Sequence, residues 1–576
     1  MGNQKSKLVE PHGGALKELI VDEKRSAELK SKLSELPTWG LTQRQVLDIE
    51  LILNGAFSPL EGFLSKADYE SVCSEMRLTD GALWPMPITL DVTEAFGSGL
   101  SPGDSLALRH PEGVIVAVLN IEDVWKPELA QEAETVFGTT DDTHPAVCYL
   151  FHQKNSLYVG GKLEGLTHPP HHTYKSLRHT PAELREFFNS KGWDKVVAFQ
   201  TRNPLHRAHV ELTLRAIKQA GANLLLHPVV GLTKPGDVDY FSRVRCYQAV
   251  IDNYPLPDAI TLSLLPLAMR MAGPREALWH SIIRKNFGCE FFIVGRDHAG
   301  PGNDSKGEPF YGPYDSQELV REHEKELGIT MVDFQLMVYV EDNQEYMPLT
   351  DVSEGMVVLN LSGTELREKL RTGQEIPEWF SYPQVIEELR RSQPQRNEQG
   401  FTVFISGLPG SGKAIISSIV AMMLLENGSR PVTLLDEEVI RDFVSRSADH
   451  SKAESIREVR RMGFIASEVT KNQGAVICAP TAPYGETRKA IRRLISQRGG
   501  FIEVYVSTPL EVCKELDRKG IYDRIESGEI KEYAGVTDGF EPVEDADLVI
   551  DTTETTPEEA AIAIYEHLIK EGYIDK

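Results

Sequence analysis

The sequence predicts a multidomain α/β protein, on three observations. Its 576 residues exceed what one hydrophobic core organises, so several domains are expected. Short alternating strands fill roughly the first 170 residues, and beyond them apolar strand-like runs alternate with helical segments. A polar break at 391–400 precedes another strand, which leads into a glycine-rich loop and a helix. The chain therefore divides into a mostly-β, barrel-like domain at 1–172, a Rossmann-like α/β domain at 173–398 and a second α/β domain at 399–576.

In the first domain, 84–92 and 113–119 carry strand-like alternation between turns. The stretch 166–172 is Pro-rich, and its His168, His171 and His172 lack further ligands, so a polar linker is expected there. In the second domain, 196–199, 224–230 and 291–294 read as strands of a parallel sheet. Asn203 reads as an N-cap, Pro204 as the first helical residue and Gly221 as the stop of the helix between. No repeat of solenoid period is present.

The formal net charge of −25, from 61 basic and 86 acidic residues, excludes duplex nucleic acid as a partner. An anionic substrate must then find a local basic pocket. Six cysteines without a CxxC pair point to a reducing, cytoplasmic setting. Met1-Gly2-Asn3-Gln4-Lys5-Ser6 fits the N-myristoylation pattern, which implies weak membrane association through Gly2; a plain polar tail is the preferred reading.

The most informative segment is Gln200-Thr201-Arg202-Asn203-Pro204-Leu205-His206-Arg207-Ala208-His209, between an apolar strand and a helix. Ligands of open α/β sheets bind at such strand ends, and a helix N-terminus favours anions. Arg202 offers a planar fork for a tetrahedral oxyanion, and His206 and His209 are spaced to reach one ligand. A second strand ends in Gly295-Arg296-Asp297-His298-Ala299-Gly300-Pro301-Gly302, whose glycines allow close approach to a nucleotide. The loops 231–237 and 269–275 add basic groups, and 361–367 places hydroxyls before a helix, a ligand contact or merely a cap.

These two segments, with Pro11-His12-Gly13-Gly14, 54–63 and Ile376-Pro377-Glu378-Trp379-Phe380-Ser381, resemble the motifs of the ATP sulfurylases, and the domain order is similar to the filamentous-fungal type. The resemblance implies that sulfate, held by Gln200, Arg202 and the Ala299 backbone, attacks the α-phosphorus of ATP and expels pyrophosphate. It implies catalytic roles for Thr201, Arg202, Asn203, His206 and His209. ATP would be held by Gln200, Thr201, Arg202, Asn203, Gly295, Arg296, Asp297, His298 and Met337, and Phe334 would respond to the nucleotide. Mg2+ is expected with ATP, and no resident metal; a cytoplasmic homohexamer in sulfate assimilation and cysteine and methionine biosynthesis is implied.

The segment Gly407-Leu408-Pro409-Gly410-Ser411-Gly412-Lys413-Ala414 is a phosphate-binding loop with alanine in place of the metal-holding Ser or Thr. The domain resembles adenylylsulfate kinase, with Glu438, Val439, Glu454, Ser455 and Glu458 at positions where that family has other residues. The implied reading is a kinase-dead allosteric domain that takes 3'-phosphoadenosine 5'-phosphosulfate through Gly407, Gly412, Lys413, Arg441 and Lys519. A bifunctional enzyme with a live kinase and a non-catalytic nucleotide-sensing scaffold are the alternatives.

Overall fold

The computed structural model describes residues 7–234, 237–333, 336–445 and 450–575. Gly2, Phe334 and two residues of the 231–237 loop, Pro235 and Gly236, lie outside the described residues. The chain divides into two compact units, Met1–Ser362 with Ile376–Ser392, and Gly363–Glu375 with Gln393–Lys576.

The first unit opens with a six-stranded mixed sheet. Its strands run in the order Thr38–Gly40, Ser105–Arg109, Ile115–Trp125, Leu157–Gly165 and Gly62–Phe63, with Leu90–Val92 also paired to Leu157–Gly165. Of the strand expected at 84–92 only Leu90–Val92 forms, because Pro85 and Pro87 have no amide to give a ladder. Helices that the alternation did not announce accompany the sheet. One is Gln43–Leu53, which Thr42 and Gln45 start with a capping box. Phe57, Trp84 and Trp279 belong to one continuous core that runs from this sheet into the central one, so the two share their packing. Polar ties cross with it: Arg270 Nη2 meets Asp48 at 2.6 Å, both buried, and the His12 amide donates to Asn286 Oδ1 at 2.8 Å.

The central sheet is parallel, in the order Thr330–Asp333, Phe291–Val294, Val196–Phe199, Asn223–Leu226, Ile260–Leu262. The chain starts at Val196–Phe199, steps outward twice to Ile260–Leu262, and returns on the other side at Phe291–Val294. Strand order therefore reverses between Val196–Phe199 and Phe291–Val294, which places the ligand crevice at the carboxyl ends of those two strands.

The second unit is a five-stranded parallel sheet in the order Val432–Leu435, Ala475–Cys478, Phe401–Gly407, Gly500–Val506, Leu548–Ile550. Successive residues of its middle strand face opposite sides. Val403 and Ile405 join the core beneath the helices Lys413–Asn427 and Pro557–Lys570, and Phe404 joins the one beneath Lys452–Lys471 and Gly485–Ser496. The helix Gly363–Thr372 belongs to this unit, although it precedes the polar break; Leu366 and Leu370 are its buried residues.

Candidate active site

The residues after Phe199 do not enter a helix at once. Thr201 Oγ1 accepts from the Asn203 amide at 3.0 Å and donates to the Asn203 carbonyl at 3.1 Å, closing a tight turn. Tyr247 Oη donates to that same carbonyl at 3.0 Å. The helix starts at Arg207 with His206 as its cap, and it ends at Gly221 in the left-handed conformation as expected. Asn203 is therefore not the N-cap. Its carbonyl accepts from Thr201 Oγ1 and Tyr247 Oη and, among the described residues, from no helical amide, so the helix does not begin there.

The helix N-terminus is also less free than expected. The Arg207 amide donates to the Phe380 carbonyl at 3.1 Å, and the His209 amide to the His206 carbonyl at 2.9 Å. The His206 amide donates to His209 Nδ1 at 3.1 Å, which puts the proton of neutral His209 on Nε2 and makes that atom a donor. His206 Nδ1 lies 2.9 Å from Ser381 Oγ, and the Phe380 ring packs tilted against its ring, centroids 4.5 Å apart. Burial depresses both imidazoles, His206 to about 3 with a further contribution from His209, and His209 to about 4. At neutral pH both are uncharged, and His209 offers its Nε2–H.

Arg202 is half-buried, and its Nη1 alone contacts both oxygens of Asp237, at 2.6 and 2.8 Å. Among the described residues, its Nε and Nη2 have no acceptor. Gln200 Oε1 is buried without a hydrogen-bond partner, and a 180° flip presents its NH2 in the same place. Two donor-bearing side chains thus end in unsatisfied positions at one strand end.

The adjacent strand end carries the loop 295–302. Asp297 and Ala299 both hold positive φ, +53° and +55°, which curls the loop tightly. The Asp297 amide donates to Pro313 and the Ala299 carbonyl accepts from Gly273, whereas the buried Ala299 amide donates to no described residue. Burial raises the Asp297 carboxyl above its ordinary value, with Arg202, Lys234 and Arg296 pulling it down, so these cations surround it. Lys234 also leans on Gly302, where an added Cβ would stand 3.0 Å from Nζ. His298 is buried and hydrogen-bonded to His280 at 3.0 Å.

Gln200, Thr201, Arg202, Asn203, His206 and His209 thus gather on one turn, and Gly295, Arg296, Asp297, His298 and Ala299 on the neighbouring loop. Met337 stands apart, buried at the start of the strand Met337–Val340 in a separate antiparallel sheet. Sequence reading missed Asp237 and Ser381, which hold Arg202 and His206. Ser381 lay in a quoted motif, but its partner is 175 positions away.

In the second unit the phosphate-binding loop forms as expected. Gly410 has φ +80°, and a Cβ there would lie 2.2 Å from the Cys513 carbonyl oxygen, so only glycine fits. Gly407 ends the strand, Gly412 caps the helix, and Lys413 is buried with Nζ donating to the Leu408 carbonyl at 3.2 Å. The other two expected cations are paired: Lys519 with Glu438, and Arg441 with Glu458 at 3.3 Å. Both carboxylates sit at positions that the sequence singled out as changed.

A parallel sheet that presents backbone, a guanidinium and neutral imidazoles at its switch point suits the transfer of an anionic group by positioning and electrostatics, the chemistry of a nucleotidyltransferase. Family models match in the same sense: ATP-sulfurylase over 175–392, PUA-like domain over 9–168 and adenylylsulphate kinase over 399–551. The sulfate adenylyltransferase of Gibberella zeae is 52% identical over 94% of this chain and 95% of its own, and that of Phaeosphaeria nodorum 50% over 98% and 99%. The chain belongs to the sulfate adenylyltransferase family. A solved structure described as a hexameric APS kinase from Thiobacillus denitrificans superposes with a TM-score of 0.82 at 37% identity, covering 98% of this chain and 100% of that one.

Proposed function

We propose that the first unit transfers the adenylyl group of MgATP to sulfate, and that Gln200, Arg202 and the Ala299 amide are the sulfate site. What carries this reading is the set of unspent donors at the switch point: the Gln200 amide, Nε and Nη2 of Arg202 and the Ala299 N–H. A sulfate oxygen attacks the α-phosphorus, the S–O–P bond forms, and the bond to the β-phosphate oxygen breaks as pyrophosphate takes the electron pair. No proton need move, so positioning and electrostatics supply the rate. His206 and His209 donate N–H bonds to the departing phosphates, while Thr201, Asn203 and the loop 295–298 hold the nucleotide. The metal is Mg2+, carried on the ATP phosphates.

The second unit is read as an effector domain without kinase activity. Ala414 has no hydroxyl to anchor a metal, and the cleft around Lys413, Arg441 and Lys519 suits 3'-phosphoadenosine 5'-phosphosulfate. The hexameric neighbour from Thiobacillus denitrificans supports an oligomer, read as a homohexamer, working in sulfate assimilation. The reverse reaction tests the catalytic reading: adenosine 5'-phosphosulfate and pyrophosphate should yield ATP, and absence of ATP would overturn it.

A further inference from the structure

Behind the nucleotide loop lies a chain of three buried groups that the reaction does not itself require. Glu276 and His280 have no solvent exposure, and His298 is 9% exposed. Glu276 Oε1 is 3.3 Å from His280 Nε2, and His280 Nδ1 is 3.0 Å from His298 Nε2. The carboxylate is fixed from behind: Oε1 accepts from the Arg270 amide at 2.9 Å and Oε2 from the Ala272 amide at 2.8 Å. Burial opposes its charge, but its contacts with His280 and these amides hold it below its ordinary value, so it is ionised and can only accept. Burial keeps both imidazoles neutral. A neutral imidazole has one N–H. A carboxylate 3.3 Å from His280 Nε2 favours the proton on that nitrogen, although the two are not aligned as a hydrogen bond; Nδ1 then accepts, and His298 donates from Nε2.

We infer that Glu276 and His280 are positioning residues that fix His298 as an Nδ1 acceptor, ready for a hydroxyl or amino donor of the bound nucleoside. Among the described residues His298 Nδ1 has no partner, and it is not one of the buried polar atoms sealed without one. The opposite tautomer would turn the unprotonated His280 Nε2 toward a carboxylate and offer the nucleoside a second donor where it too has one. This inference rests on the reading that the loop 295–302 holds the nucleotide.

Two measurements on the full-length protein separate the relay from that reading. With 15N-labelled histidine, and His298 assigned by loss of its signal in His298→Asn, the ligand-free protein at neutral pH should show His298 protonated on Nε2 only. An Nδ1–H form or an imidazolium overturns the relay whether or not ATP binds. Glu276→Gln should move the proton toward Nδ1 and raise the KM for ATP about tenfold, with the KM for sulfate unchanged. If Glu276→Gln does not fold, the wild-type spectrum still decides the tautomer. ATP, 2'-deoxy-ATP, 3'-deoxy-ATP and purine riboside triphosphate identify the donor, because the one lacking it should lose its preference for wild type over Glu276→Gln. Equal preference in all four overturns the acceptor role. An Nε2–H His298 in a protein that binds no ATP would leave the relay standing and remove the nucleotide reading instead.

Discussion

Arg202 and His206 stand four residues apart, yet the structure gives them different tasks, and their loss should separate kinetically. Arg202 offers Nε and Nη2 to a ligand while Asp237 holds Nη1, so Arg202→Ala should raise the KM for sulfate as well as lower kcat. His206 is a neutral imidazole braced by Ser381, so if it donates to the departing phosphates His206→Asn should lower kcat by about 100-fold and leave both KM values nearly unchanged. Initial rates over both substrates check the split; equal effects on KM would contradict it. The same histidines make stability depend on pH. Their folded values lie far below the ordinary 6.5, so below pH 6.5 the unfolded chain takes up protons that the folded one refuses. Stability should be full above pH 6.5 and fall as the pH drops toward about 4, by at most about 1.4 kcal/mol per unit for each histidine. Denaturant titrations from pH 7.5 to 4.5 should show a shallower loss in His206→Asn, and an identical slope would contradict the assignment.

At the scale of elements, the loop 295–302 is sensitive in a specific way. A methyl at position 300 would meet the Asp297 carboxylate at 1.9 Å, a side-chain end that can move, so Gly300→Ala should displace Asp297 and spare the fold. The KM for ATP should rise about tenfold with little change in melting temperature; an unaltered KM would remove Asp297 from the nucleotide site. Much of this element was legible in the sequence, because an apolar strand followed by glycines is a local pattern. So were the phosphate-binding loop and Gly221. The start of the helix at Arg207 was not, since it depends on the Thr201 hydroxyl capturing Asn203 and on Phe380 taking the Arg207 amide. The helices beside the first sheet escaped for a related reason. Gln43–Leu53 is buried almost throughout, so it shows no polar face from which a period could be read. Asp237, Ser381, Glu276 and His280 act through partners distant in sequence or through a relay, and no spacing announces them.

At the scale of the molecule, a chain of net charge −25 gathers cations at two places, and only one of them keeps those cations available. In the second unit Glu458 is buried against Arg441, whereas the Glu438–Lys519 pair is exposed and worth little. Glu458→Asn should therefore tighten 3'-phosphoadenosine 5'-phosphosulfate by roughly fivefold. In the full-length protein that effector should turn the velocity-against-ATP curve sigmoidal, because it must favour one of two states to act at all. Curves that stay hyperbolic in wild type and Glu458→Asn alike would leave the domain without an effector role. The central claim concerns the other site, and pyrophosphate release from MgATP, followed with and without sulfate, tests it most directly. Release that depends on sulfate and is lost in Arg202→Ala is the predicted result. Release at the same rate without sulfate, or none from protein that binds ATP, would contradict the account.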